Sequence, residues 1–365
     1  MENNLLGDGF KLPKGLTDYG VAAQSWNQYA EENGLTPELN QAGHIQGADV
    51  TLNARNDNVV FTGGFKMNVN DLLLDFRITS HCDLGCDLCF RNPGISDSSL
   101  DDAKLVINKM HDIGFRRIGF TGGEPTSRKD FISLIEYAKG KGFMTYLSTV
   151  GHRFIIDHSK LNSILDWVGM PIDGIDKETN TDIRSKKMSN QHRVIKNILI
   201  WLPKADNKIN IKLKLKLKLK LTTVVSNSNV NDLNDLNELV SWVKNLPYKT
   251  QAWRFYQFCP LGVGKEKREK LEIDESVFKE KMQELKERHP DTPISWATFE
   301  ERDKANVVME PNFDIIIPDG ENYTYLCNML NDSKEKIINS IFGNKIILDK
   351  CEKNRFWLDN MEFTS

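Results

Sequence analysis

From Leu72 onward the chain alternates short apolar runs of strand character with amphipathic helical stretches, and this alternation restricts the possible folds more than any other feature. Runs of strand character cover Leu72 to Thr79, Arg117 to Thr121, Phe143 to Ser148, Trp167 to Ile172, Leu213 to Val225 and Ala252 to Phe258. Between the first two, Ser99 precedes Asp102 at capping-box spacing, and Leu100, Ala103, Ile107, Met110 and Ile113 follow at helical intervals. Between the next two, Phe131, Leu134, Ile135 and Ala138 form an apolar stripe that Gly140 and Gly142 bring to a stop. Helices are also expected over Val194 to Leu202 and Leu233 to Leu246. Strands separated by helices pair in parallel through right-handed crossovers, so residues 71–260 are expected to form an α/β core, an open or closed βα barrel. Its active site belongs at the C-terminal ends of the strands.

Residues 1–70 are rich in Asn and Gly, carry one short possible helix around Ala22 to Glu32, and read as an N-terminal extension of unknown role. Residues 261–365 read as a C-terminal α/β extension covering the barrel mouth. A formal net charge of -3 makes no global electrostatic case for nucleic acid or an anionic membrane. No run of eighteen apolar residues suggests a membrane span, and Met1 to Leu6 lacks the features of a secretory signal, so a cytoplasmic protein is expected.

Six cysteines are too few for a disulfide framework in a chain of this length, and three of them crowd together. Cys82-Asp-Leu-Gly-Cys86-Asp-Leu-Cys89 offers three soft ligands just after the first strand. A [4Fe–4S] cluster held by three thiolates keeps one iron open to a ligand that is not protein. Zinc completed by His81 or a remote cysteine is the alternative on the same residues, and an iron–sulfur electron carrier is another. Cys259, Cys327 and Cys351 are scattered and read as small buried hydrophobes, so a single cluster is expected.

The cysteine spacing, followed by Gly122-Gly123-Glu124-Pro125 after the second strand, resembles the radical S-adenosylmethionine (radical SAM) superfamily. The resemblance implies a partial (β/α)6 barrel of the TIM type with N- and C-terminal extensions. It also implies a [4Fe–4S] cluster on Cys82, Cys86 and Cys89, with S-adenosylmethionine chelating the open iron. By the same resemblance Gly122, Gly123, Glu124 and Pro125 form the loop that meets the cofactor's amino group, with Glu124 opposite the ammonium. Ser148, Asp173 in Ile172-Asp173-Gly174, and Arg184 match cofactor-binding positions more loosely. The activity implied is reductive cleavage to a 5′-deoxyadenosyl radical that abstracts hydrogen from substrate, with electrons from a donor such as flavodoxin or ferredoxin. Leu88 stands where the family often has an aromatic residue, and Phe90 follows the third cysteine.

Substrate class is the least legible property. Lys220 to Val230, including Asn229, and Trp253-Arg254-Phe-Tyr-Gln257 resemble the fifth and sixth strands of viperin-like nucleotide dehydratases. That likeness implies a small-molecule nucleotide whose phosphates meet Lys220 and Arg254. Arg254 replaces a lysine of that group, Ala252 a second cation and Thr222 an asparagine. The same strand pattern occurs in molybdopterin-precursor cyclases and in enzymes with peptide substrates. Lys212, Lys214, Lys216, Lys218 and Lys220 alternate with leucines, which is strand periodicity. A strand from Lys212 to Val225 would span ~46 Å at ~3.3 Å per residue, so part of it is expected to project from the barrel. Its lysine face reads as a solvated edge, with a functional role open only to Lys218 and Lys220, which lie nearest the expected mouth.

Overall fold

The structure is a computed structural model and describes residues 44–45, 48–53, 58–62, 69–151, 158–175, 183–184, 217–230, 233–246 and 250–354. The helices expected at Ala22 to Glu32 and Val194 to Leu202, and residues 212–216 of the Lys-Leu run, lie outside the described residues.

Three strands, β1 (His44–Ile45), β2 (Ala48–Asn53) and β3 (Asn58–Thr62), form a small antiparallel sheet in the N-terminal extension. The core strands follow: β4 (Leu73–Thr79), β5 (Arg117–Gly122), β6 (Met144–Ser148), β7 (Trp167–Pro171), β8 (Lys218–Val225) and β9 (Ala252–Gln257). Each pairs in parallel with the next. Helices α1 (Leu100–Ile113), α2 (Phe131–Gly140), α3 (His158–Ile164) and α4 (Leu233–Lys244) lie between them in the chain. Ser99 caps α1 by accepting from the Asp102 amide at 3.0 Å, and Gly114 ends it in the left-handed conformation. This is the expected partial βα barrel.

The C-terminal extension continues the same sheet at both edges. β10 (Ile294–Ala297) pairs in parallel with β9, following α5 (Glu275–Arg288). At the opposite edge β11 (Val308–Met309) pairs in parallel with β4 and leads into the antiparallel hairpin β12 (Asp314–Asp319) and β13 (Asn322–Asn328). Helices α6 (Lys334–Phe342) and α7 (Lys345–Asn354) follow. The sheet therefore has ten strands, in the order β10-β9-β8-β7-β6-β5-β4-β11-β12-β13.

Strand periodicity sorts side chains between helix layer and lumen. On β4, Leu74, Phe76 and Ile78 join Ala103, Val106, Ile107 and Met110 of α1 in the main core, while Asp75 and Arg77 line the cavity. On β8, Leu219 and Leu221 join that core and Lys220 lines the cavity. This corrects the expectation of a solvated lysine face. Within the described residues the leucines pack under the helices, and Lys220 is buried at 4% exposure. Leu73, Met144, Tyr146, Trp167 and Ala252 form a second apolar cluster toward the N-terminal ends of their strands. No helix among the described residues is long and apolar enough to cross a membrane.

Candidate active site

One cavity of about 280 Å³ occupies the barrel lumen, and Cys82, Cys86 and Cys89 line it together with Gly122, Gly123 and Glu124. The topology explains the meeting, since the cysteine loop leaves β4 and the Gly-Gly-Glu loop leaves its parallel neighbour β5. The joint between them is tight. Gly123 donates its N–H to the Thr79 carbonyl at 2.7 Å, and Glu124 donates its own to the His81 carbonyl at 2.8 Å. A Cβ on Gly123 would lie 2.1 Å from the His81 oxygen, and one on Gly122, at φ +151°, would lie 2.3 Å from that of Thr79. Both glycines are therefore required by the approach of two backbones, whatever ligand they also face.

Glu124 is nearly inaccessible at 1% exposure. Its Oε1 accepts from the hydroxyls of Thr126 and Thr149, each at 2.5 Å, and from the Thr126 amide at 3.1 Å. Oε2 accepts from the Val150 amide at 3.1 Å. The carboxylate thus ties the loop after β5 to the loop after β6, and Oε2 keeps acceptor capacity for a cationic ligand. Pro125 is buried and opens the 3-10 turn Pro125–Ser127. Ser148, the last residue of β6, lies on the cavity wall.

Arg184 lines the cavity, and its Nε donates to Oδ2 of the fully buried Asp173. Asp173 also accepts from the Val224 amide at 2.8 Å, and its carbonyl accepts from Asn229 Nδ2 at 3.0 Å. Asp173 therefore acts from behind the wall, joining the end of β7 to β8 and orienting Arg184. The Arg184 carbonyl in turn accepts from the Asp87 amide at 3.1 Å, inside the cysteine loop.

The thiols fit a cationic cluster chemically. Burial pushes the Cys86 thiol up to about 12, opposed by Arg184 and reinforced by the charges of Cys89 and Cys82. Cys82 is also raised, by burial first, with Glu124 and Cys89 adding to the effect. Thiolates that repel one another in a partly apolar loop are what a bound iron–sulfur centre would relieve, because metal binding takes the place of the protons. Among the described residues, no three His, Cys, Asp or Glu side chains converge as ligands of a single ion. Cys259, Cys327 and Cys351 are buried, as expected, but Cys259 and Cys351 also reach the cavity wall.

Deeper in the lumen is a group of cations and phenols. Lys220 Nζ lies 5.4 Å from the Tyr146 ring centroid and 6.0 Å from that of Tyr256. Arg254, at 3% exposure, is absent from the cavity wall; its guanidinium stands beside the Tyr256 ring at 5.7 Å. Arg302, which sequence reasoning passed over, lines the cavity and sits 4.5 Å from the same ring. Burial pushes the Tyr256 phenol up, but Lys220, Arg254 and Arg302 outweigh it and the net shift is downward. Burial also depresses Lys220, against the pull of Tyr256 and Asp75. Tyr146 and Tyr256 were findable, since alternation along β6 and β9 puts them on the same face as Ser148 and Arg254. Arg302 gave no such signal, because its place depends on a turn beyond the sixth core strand.

Residues 76–201 match the sequence model of the Radical SAM superfamily. An S-adenosylmethionine-dependent nucleotide dehydratase of Flammeovirga pacifica is 27% identical over 219 residues, covering 57% of this chain and 70% of that protein. A GTP 3',8-cyclase of Mannheimia succiniciproducens is 24% identical over 290 residues, 74% of this chain and 78% of its own. Among solved structures, Streptococcus suis SuiB bound to precursor peptide SuiA superposes with a TM-score of 0.56 at 15% identity, over 78% of this chain and 67% of that one. Residues 76–201 thus carry a radical SAM domain, the mark of enzymes that use S-adenosylmethionine and an iron–sulfur cluster, and the parallel barrel resembles the fold of SuiB.

Proposed function

We propose that this enzyme acts on a phosphate-bearing small molecule, with a nucleoside triphosphate as the best-matched class. The observation that carries the reading is the placing of Lys220 and Arg302 against Tyr256 on the wall of the lumen that also holds the three cysteines, with buried Arg254 beside the same ring. Cations gathered in a partly desolvated cavity repel one another until an anion enters, which makes the lumen selective for polyanions. The nucleotide substrates in the names of the two sequence relatives support the same class.

In this reading Cys82, Cys86 and Cys89 hold a [4Fe–4S] cluster. Gly122, Gly123 and Glu124 border the methionine end of S-adenosylmethionine, and Pro125 fixes the turn behind them. Ser148 and Arg184 contribute polar contacts on the wall, with Asp173 orienting Arg184. The bound cofactors supply hydrogen-abstraction chemistry. The chain's own residues hold the substrate C–H at a fixed place and limit water through the apolar cluster of Leu73, Met144 and Trp167. Residues 71–260 form the catalytic core, 261–365 complete the lumen, and 1–70 are an appended extension. The setting is the cytoplasm, with a flavodoxin or ferredoxin as reductant.

The test is anaerobic reconstitution followed by a panel of nucleoside triphosphates with reduced enzyme. One of them should raise 5′-deoxyadenosine production above the uncoupled background, and Lys220→Ala should remove most of that stimulation. If no nucleotide stimulates, or Lys220→Ala and Arg254→Ala leave a stimulated rate untouched, the nucleotide reading fails and peptide substrates come next.

A further inference from the structure

We infer that Arg302, supplied by the C-terminal extension, is the specificity residue that reads the terminal phosphate of a polyphosphate chain in the lumen; the inference rests on the phosphate-bearing reading above. Sequence likeness drew attention to Lys220 and Arg254, both on core strands. The structure leaves Arg254 beside Tyr256 but off the cavity wall, and brings a cation from outside the core to that wall.

The position of Arg302 is built. Thr298 caps the one-turn helix Phe299–Arg302 by accepting from the Glu301 amide at 3.1 Å, and Glu301 Oε2 accepts in return from the Thr298 amide at 2.8 Å. This turn is fastened to the core by Gln257 at the end of β9. Gln257 Oε1 accepts from the Phe299 amide at 2.8 Å, while its Nε2 donates to the Ile273 carbonyl at 2.8 Å. The backbone that carries Arg302 is thus fixed, and its guanidinium rests against the Tyr256 ring at 4.5 Å.

The neighbouring acids are committed elsewhere. Glu301 completes the capping box, and Asp303 Oδ1 accepts from the Gly320 amide at 2.7 Å. Among the described residues Arg302 makes no ion pair, and its buried Nε has no hydrogen-bond partner. A planar cation held by stacking at a polar cavity wall, with an unmet donor, is suited to an oxyanion that brings its own acceptors. Lys220 from β8 and Arg302 from beyond β10 then flank the ring of Tyr256 from different parts of the chain. A ligand with several linked phosphates reaches both more readily than a single phosphate does. The extension would in this way count phosphates for the barrel.

Calorimetry on the reconstituted full-length chain tests this with tripolyphosphate and orthophosphate as probes. Wild type should bind tripolyphosphate more tightly than orthophosphate. Arg302→Gln should weaken tripolyphosphate about tenfold or more while changing orthophosphate little, and Arg302→Lys should recover part of the loss. Circular dichroism and thermal melting of both variants establish that the fold is kept, and the lysine variant carries the comparison if the glutamine one is unstable. Equal tripolyphosphate binding by wild type and Arg302→Gln, with Lys220→Ala still impaired, overturns the role of Arg302 and leaves the phosphate reading standing. No binding of tripolyphosphate by wild type overturns both.

Discussion

Asp75 is an acid on the lumen face of β4, where burial pushes its carboxyl up to about 6 against the pull of Lys220 and Arg77. Its ordinary value is 3.8, so the folded chain holds this proton more tightly than the unfolded chain does. The resulting contribution to stability is fully present below about 3.8 and is lost as pH rises through about 6. The difference of roughly 2 pKa units corresponds to at most about 3 kcal/mol, because the side chain keeps some solvent access. Asp75→Asn removes the titration. The unfolding free energy of wild type minus that of the variant should fall by up to about 3 kcal/mol between pH 4 and pH 7.5 in urea titrations. A flat or rising difference would mean that the attraction of Lys220 and Arg77 dominates over burial. At this scale sequence reasoning found residues whose type announces chemistry, such as Cys82 and Glu124. It left the lysine face of the Lys-Leu run between a solvated edge and, at Lys218 and Lys220, a part of the site, because periodicity separates two faces without saying which is inside. In a barrel the polar face can be the lumen, and here Lys220 is in it.

The joint between the ends of β4 and β5 is the element on which the site depends. Gly123→Ala places a methyl group 2.1 Å from the His81 carbonyl, a backbone atom that cannot swing aside, so the cysteine loop must shift. The core of leucines and phenylalanines beneath the helices is untouched by this change. The variant should therefore keep its far-UV circular dichroism while binding less than half the iron and sulfide of wild type after reconstitution. Full cluster content in a folded Gly123→Ala variant would show that the loop tolerates displacement. Five of the six core strands were legible to within a residue or two, each a short apolar run between helical stretches; the fifth was expected from Leu213, and β8 begins at Lys218, with residues 212–216 outside the described residues. The hairpin β12–β13 was not picked out, although Gly320-Glu321 between two alternating runs is a two-residue turn signal, with Gly320 at φ +59°. The sheet β1–β3 was missed although Ala48, Val50 and Leu52 alternate with Asp49, Thr51 and Asn53 at strand period; the run is short and lies in a stretch rich in Asn and Gly, which read as extension.

Across the whole molecule, the C-terminal extension is built into the core sheet. It supplies the strands that flank β4 and β9, which would otherwise be unpaired edges of the core. That role is hidden from sequence because it depends on pairings across more than two hundred residues, such as Val308 with Asp75. The buried pair Arg77–Glu310, at 2.6 Å and 3% exposure on each side, fixes the arrangement. Arg77 Nη2 also donates to the Tyr323 hydroxyl on β13 at 2.8 Å, and that hydroxyl donates to the Phe90 carbonyl at 2.6 Å, next to Cys89. Core strand, extension and cysteine loop thus share one polar network. Removing one partner leaves a buried charge uncompensated, so Glu310→Gln should cost about 3 to 5 kcal/mol in urea unfolding. Replacing both, as Arg77→Met with Glu310→Leu, should recover part of that loss because neither charge is then left alone in the interior. Hydrogen exchange locates the effect: in Glu310→Gln the amides of β11 to β13 and of residues 82–91 should lose protection together, while those of β6 and β7 keep it. Loss confined to the hairpin would show that the cysteine loop is held by its own contacts with the Gly122-Gly123 joint. Joint loss would make the extension part of the cluster site's scaffold, and truncation after residue 260 would then impair iron binding as well as the lumen.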